Sequence, residues 1–189
     1  MPPKVRIFKE NIISAALDLV REGGAEMLGA RNLAKRMGIS TQPIFSSFEN
    51  VSELRRAVAS AAEKIYSDIT REEMESGRYP QYKASGMAYI RFAREEPELF
   101  KLLFMRDRSE EEIPAWDNRV DPIIDIIMRA RGVDRELARK IHLEMWIFVH
   151  GIACMVAHRY LEWDHDAVSA MLTDVYFGIG NSAEGEKKK

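Results

Sequence analysis

An all-α fold is predicted: an N-terminal three-helix helix-turn-helix head, then a C-terminal helical domain, about nine helices in all. Three observations carry this. Apolar residues recur at helical spacing along the chain, and no stretch shows the period-two alternation of a half-buried strand. Residues 30–48 read as helix, glycine turn, helix. The end of the chain holds two long apolar helical stretches, which look like half of a four-helix interface closed by a second copy.

The head is organised around Ala30–Phe48, Ala-Arg-Asn-Leu-Ala-Lys-Arg-Met-Gly-Ile-Ser-Thr-Gln-Pro-Ile-Phe-Ser-Ser-Phe. Leu33, Ala34 and Met37 share one helical face. Gly38 can stop that helix by taking a positive φ at no steric cost. Ile39 is expected to be the buried residue of the turn. Ser40 can accept from free amides and start the next helix. Pro43 then falls in its first turn, where a missing N–H is no loss. Ile44, Phe45 and Phe48 are expected to anchor that helix, with Thr41, Gln42, Ser46 and Ser47 outward. A short helix with small polar residues on its free face fits a major groove. An αα-corner that never meets DNA can have the same local pattern, so the rest of the chain has to decide.

With 189 residues the chain is long enough for one large or two small domains and a real core. No wholly apolar run reaches the roughly 18 residues of a membrane span. Met1–Glu10 lacks an apolar core, so no signal peptide is expected. Cys154 is the only cysteine and cannot make an internal disulfide. A cytoplasmic location without membrane contact is the expectation. The net charge of −2 is uneven. Up to Tyr66 there are ten Lys and Arg against seven Asp and Glu; beyond it, eighteen against twenty-three. A mildly basic head on an acidic body suits a head that meets phosphate.

The opening helix is expected from about Phe8 to Arg21, with Ile12, Ile13, Ala16, Leu17 and Val20 as its stripe and Gly23-Gly24 as its stop. Lys4, Arg6 and Lys9 make either a basic arm for a phosphate backbone or a solvated terminus. Asn50 or Ser52 can cap a long helix from Ser52 to about Glu75, with Leu54, Val58, Ala61, Ala62, Ile65 and Ile69 inward. Glu75–Pro80 reads as a linker. Further helices follow over Gln81–Glu95, Glu98–Met105 after Pro97, and Val120–Ala130, with a charged loop at Arg106–Pro114. The segment Leu99–Met105 is nearly all apolar and is expected to be buried. Asp134 caps what reads as the longest helix, to about Leu161, apolar on nearly every side. The last helix spans Asp166 to about Ile179. Residues 1–54 are read as the DNA-binding domain, 55–182 as the regulatory domain and 183–189 as a disordered polar tail.

The chain resembles the TetR/AcrR family of transcriptional regulators. The head carries the match: Ile12-Ile13-x-x-Ala16-x-x-Leu19, then Gly24, Leu33-Ala34, Gly38-Ile39-Ser40, Ile44-Phe45, Phe48 and Leu54. The body resembles the WHG type of C-terminal domain through Ala88-Tyr89-Ile90-Arg91-Phe92-Ala93, Pro97-Glu98-Leu99-Phe100 and Trp146-x-x-x-His150-Gly151. The resemblance implies a homodimer through the last two helices, with its heads in successive major grooves of a near-palindromic double-stranded DNA operator. It also implies a ligand cavity in each body and repression relieved by a small-molecule effector. Thr41, Gln42 and Ser46 would face base edges, Gln42 having the amide that pairs bidentately with adenine. Ser40, Ser47 and Lys35 would meet phosphate, with Arg31 and Phe45 on the same surface. Three positions depart from the family. Phe45 stands for a usual Tyr, Val51 for a usual Lys, and Gly29 for a Ser or Thr cap. Arg31, Arg55 or Arg56 can compensate for the lost phosphate contacts.

An apolar or amphipathic effector is the expectation for a body rich in methionine and aromatics. The candidate lining is Met87, Phe92, Phe104, Met105, Trp116, Met128, Trp146 and His150, each of which could equally be plain core. His150, Cys154 and His158 lie at i, i+4 and i+8 and Glu162 continues the stripe. One helix rarely supplies a whole metal site, and neither metal nor cofactor is expected. No Gly-rich phosphate loop or GxSxG is present, so an enzyme is not expected. The alternative is a helical dimeric adaptor, or a ligand or metal sensor, with weak or lost DNA binding.

Overall fold

The computed structural model describes residues 8–107, 120–162 and 164–186, with the side chains of 182–186 left aside. Among the described residues the regular structure is helical throughout, in nine α-helices and a 3-10 turn at Ala25–Met27. The helices are α1 (Lys9–Gly23), α2 (Ala30–Met37), α3 (Gln42–Ser47), α4 (Val51–Glu75), α5 (Gln81–Glu95), α6 (Pro97–Phe104), α7 (Asp121–Arg131), α8 (Arg135–Ala157) and α9 (His165–Glu186). The expected charged loop falls largely outside the described residues, as do Lys4, Arg6 and Trp116.

By contacts the chain divides into two units. One is Met1–Ser67 with Glu96–Arg106, the other Asp68–Glu95 with Asp107–Lys189. The division falls within α4, which runs unbroken through it.

In the first unit, α1 buries Ile12, Ala16, Leu19 and Val20, while Ile13 and Leu17 are only half-buried. The stripe therefore turns slightly from the expected one. Gly24 ends α1 at φ +80°. α6 packs against α1, and Arg21 grips Glu96 with a two-pronged pair at 2.8 and 2.7 Å. Only Leu99 and Phe100 of α6 are fully buried, and Met105 is 41% exposed. Apolar content therefore does not bury that whole segment. Leu102, Leu103 and Phe104 are half-buried, and Met105 lies past the end of the helix. Asn50 caps α4, its Oδ1 accepting from the Glu53 N–H at 2.9 Å, and Glu53 accepts in turn from the Glu49 N–H at 2.7 Å. Ser52 is not the cap. Leu54, Val58 and Ala62 are buried as expected, while Ala61 and Ile65 are half-buried.

In the second unit α5 is the central helix. Ala84, Met87, Ala88, Tyr89, Ile90, Phe92 and Ala93 are all buried. It packs most heavily against α8, and also against α7 and α9. Gly86 allows a close approach: a Cβ there would lie 3.1 Å from Leu172 Cδ2 and 3.6 Å from Val149 Cγ2. The Glu75–Pro80 stretch is a turn inside this unit, with Gly77 at φ +67°.

Asp134 caps α8 as predicted, accepting from the Leu137 N–H at 2.9 Å. α8 stops at Ala157 rather than near Leu161, because the chain leaves the helical region at Arg159, φ +58°. With 23 residues it is shorter than α4, which has 25. α8 is long and apolar enough to cross a membrane by length and composition, although Ile141, Met145, Val149, Ile152, Ala153 and Val156 are buried within this unit. It is not buried all round: Leu143, Trp146, Ile147 and Met155 are 45–59% exposed. α9 continues to Glu186, past the expected end at Ile179 and through most of the expected disordered tail. The segment after Ile179 has no proline to stop the helix, although Gly180 and Gly185 are weak helix formers, so propensity does not account for the extension.

Candidate DNA-binding surface and effector cavity

α2, its turn and α3 are built by the glycine at 38. Gly38 sits at φ +66°, ψ +32°. The Ile39 N–H reaches the Ala34 carbonyl at 3.0 Å and the Gly38 N–H the Lys35 carbonyl at 3.3 Å. This pair of bonds is a Schellman closure, and it satisfies the carbonyls the helix end would leave open. Ile39 beyond it is half-buried, less than expected. α3 begins at Gln42 with Thr41 before it, and no side chain caps it. Ser40 therefore does not take the capping role; it lies one residue too early and is exposed. Pro43 is in the first turn, as predicted.

Ile44 and Phe48 hold α3 to the core at 1% and 2% exposure. Phe45 does not anchor it: one residue on from Ile44 it points outward, 49% exposed. Gln42, Ser46, Ser40, Arg31 and Lys35 are exposed, and Thr41 and Ser47 half-exposed. All eight predicted surface residues are thus reachable by solvent on one helix-turn-helix. The Ser46 hydroxyl donates to the Gln42 carbonyl at 3.0 Å and the Ser47 hydroxyl to the Pro43 carbonyl at 3.1 Å. Both serines therefore turn lone pairs outward, and the Gln42 amide is the versatile donor and acceptor of α3.

The cations of the first unit fall into two groups. Lys9 pairs with Glu53 at 3.1 Å and lies 4.6 Å over the Phe48 ring. Arg36 pairs with Glu22 at 2.6 Å and Arg21 with Glu96. The Glu49 N–H and then Lys9 hold the Glu53 carboxyl below the ordinary carboxylate range. Arg31, Lys35, Arg55 and Arg56, by contrast, are exposed and make no ion pair among the described residues. They sit on α2 and the first turns of α4, the helices either side of α3 in the chain.

The predicted effector residues are not brought together as one set. Phe104 and Met105 belong to the first unit, where Phe104 stacks edge-on against Tyr66 with centroids 5.5 Å apart. Met87 and Phe92 are buried on α5, Met128 is half-buried on α7, and Trp146 and His150 lie on α8. Trp146 stacks on the His150 ring at 5.3 Å. His150 Nδ1 meets the Tyr89 hydroxyl at 2.9 Å and its Nε2 lies 3.4 Å from Cys154 Sγ. Burial pushes the His150 pKa down and the Cys154 pKa up, favouring neutral imidazole and neutral thiol. His158 Nδ1 instead bonds the Cys154 carbonyl at 2.9 Å, so the three do not converge. No group of three or more metal-ligating side chains occurs among the described residues.

A cavity of about 500 Å³ in the second unit is lined by Glu73, Arg78, Met87, Arg91, Arg94 and His165. Met87 is the one predicted lining residue in it. Glu73, in the last turn of α4, is 6% exposed. Its neighbours are Arg78 Nη1, 3.9 Å from Oε1, and Arg91 Nη1, 3.7 Å from Oε2, both too far for a hydrogen bond. Oε1 is buried and has no hydrogen-bond partner. Arg91 is bound to Glu95 at 3.0 Å and to Glu72 at 3.3 Å, and the Glu95 hydrogen bond above all holds its pKa above the ordinary value. Nothing in the run Arg71-Glu72-Glu73-Met74-Glu75 marks one acid as buried, so sequence alone missed it.

Residues 82–176, just over half of the chain, match the family model of the tetracyclin repressor-like C-terminal domain. The chain belongs to the TetR family. The Trp146-x-x-x-His150-Gly151 pattern lies inside the matched span. A solved structure of a proposed TetR-family transcriptional regulator from Vibrio parahaemolyticus shares the fold, with a TM-score of 0.61 over 89% of this chain and 96% of that one. The two are 16% identical, so that likeness speaks for the fold alone. No curated protein matches the chain. As a member of the TetR family the chain is a transcription regulator of all-α fold, and members of the family typically bind DNA and small molecules.

Proposed function

We propose that this TetR-family regulator acts as a homodimeric, non-enzymatic repressor, released from a near-palindromic operator when a small molecule binds the second unit. The outward face of α3 carries the reading. Gln42, Thr41 and Ser46 present polar atoms to solvent while Ile44 and Phe48 fix the helix from behind. The unpaired cations on α2 and α4 supply phosphate contacts, and Arg55 and Arg56 stand in for the lysine missing at Val51.

Pairing of copies is supported by the solvent side of α8 and α9. Leu143, Ile147, Gly151 and Met155 follow at four-residue steps on α8, one face of the helix, and Met171 and Phe177 are exposed on α9. Gly151 leaves an open notch in that face, where a Cβ would meet nothing within 4 Å. A second copy laid on the face removes this apolar surface from water and lets backbones approach closely at the glycine.

The test is footprinting of DNA upstream of the protein's own gene, with and without the Gln42→Ala variant. Protection of a palindrome of two half-sites, weakened by the variant, agrees with the reading. No protection at low salt favours the adaptor instead.

A further inference from the structure

The cavity beside Glu73 has a charge arrangement that points to a class of ligand. Glu73 is a buried carboxylate with an oxygen that no donor reaches. It also stands in the last turn of α4, where the backbone carbonyls put partial negative charge, the less favourable end for an anion. Two guanidiniums lie near it, yet neither hydrogen-bonds it. A buried carboxylate left this way is costly until a donor arrives. Around it the wall carries arginines: Arg78 is exposed, and Arg94, which also pairs with Glu95 at 3.3 Å, faces the same cavity. Arg91 is already committed to Glu72 and Glu95.

A ligand with only an anionic group would satisfy the arginines and leave Glu73 Oε1 without a donor. One with only a cationic group would satisfy Glu73 and enter against the arginines. A molecule carrying both signs serves both walls, with Met87 as the one apolar surface.

We propose that the cavity formed by Glu73, Arg78, Met87, Arg91, Arg94 and His165 binds a zwitterionic small molecule of the amino-acid type. Its ammonium group sits on Glu73 and its carboxylate on Arg78 and Arg94. This takes from the functional reading only that an effector exists, and it replaces the apolar effector suggested by composition.

Calorimetric titration of the full chain, without DNA, tests it. The probes are the twenty common L-amino acids, then the N-acetyl and carboxamide forms of the best binder, and inorganic phosphate and acetate. The expected result is saturable binding of at least one amino acid. Loss of either charged group should weaken it roughly tenfold or more, as charge-assisted hydrogen bonds require. Arg78→Ala and Glu73→Gln should each weaken it similarly. Arg78 is at the surface, so its variant keeps the test valid if Glu73→Gln fails to fold. The proposal is overturned if no amino acid binds, if the N-acetyl form, phosphate or acetate binds equally well, or if Arg78→Ala binds like wild type. Because DNA is absent, failure here leaves operator binding untouched, and failure of operator binding leaves this result standing.

Discussion

Ile147 offers the sharpest test of pairing between copies. It is 59% exposed in the single chain, the most exposed aliphatic side chain on α8. Full burial of an isoleucine is worth roughly 1.5–3 kcal/mol, so the exposed part holds about 1–2 kcal/mol still to be gained. A two-fold axis places the residue in the interface twice, once from each copy. Ile147→Ala should therefore weaken the dimer by about 2–4 kcal/mol, roughly 30- to 1,000-fold in its dissociation constant. Ile147→Asp adds the desolvation of two carboxylates and should leave only monomer at micromolar concentration. Neither change removes much packing within one chain, so each monomer should retain its helical circular-dichroism spectrum. Sedimentation equilibrium across a concentration series measures the constant directly. Dimers of unchanged affinity in the aspartate variant would show that this face of α8 is not the seam.

Other substitutions follow from the same geometry. Gln42→Ala should cost about 1–3 kcal/mol on the operator and relax preference at one base pair, read by anisotropy against single-position operator variants. Lys35→Gln should weaken binding to all sequences alike and reduce the salt slope by about one. Asp134→Ala removes the side-chain cap of α8 and should lower unfolding free energy by about 1 kcal/mol in a urea titration. Burial lowers the pKa values of His142 and His150, so the unfolded chain takes up protons first as pH falls. Stability from these groups is full above about pH 6.5 and is lost below it. His142→Gln should flatten the fall in melting temperature between pH 7 and pH 5, and an unchanged slope would remove His142 as its source.

The helices were legible in the sequence because their signals are local. Gly38, Pro43 and Asp134 act within a turn of their own position, and each does what its chemistry suggests. Phe45 and Met105 show where composition misleads. An aromatic or a methionine in an apolar run is not thereby inside: helical rotation turns Phe45 outward, and Met105 lies just past the end of α6, where the chain has left the helix. Ser40 failed as a cap by a single residue, because α3 begins at Gln42 and the preceding Thr41 is already helical in its backbone. The Glu73 cavity was beyond reach for a different reason. It depends on Arg91 and Arg94 from α5, Arg78 from a turn and His165 from α9, residues up to 92 positions apart from Glu73. Only tertiary packing brings them to one place.

The hydrogen atom at Gly86 has a mechanical consequence. Because nothing larger separates α5 from Leu172 and Val149, those helices meet almost backbone to side chain at one point. Such a crossing resists sliding, since any shift along the axis drives a bulkier neighbour into the gap. The same point therefore fixes both the spacing of α5 from α8 and α9 and its position along its own axis.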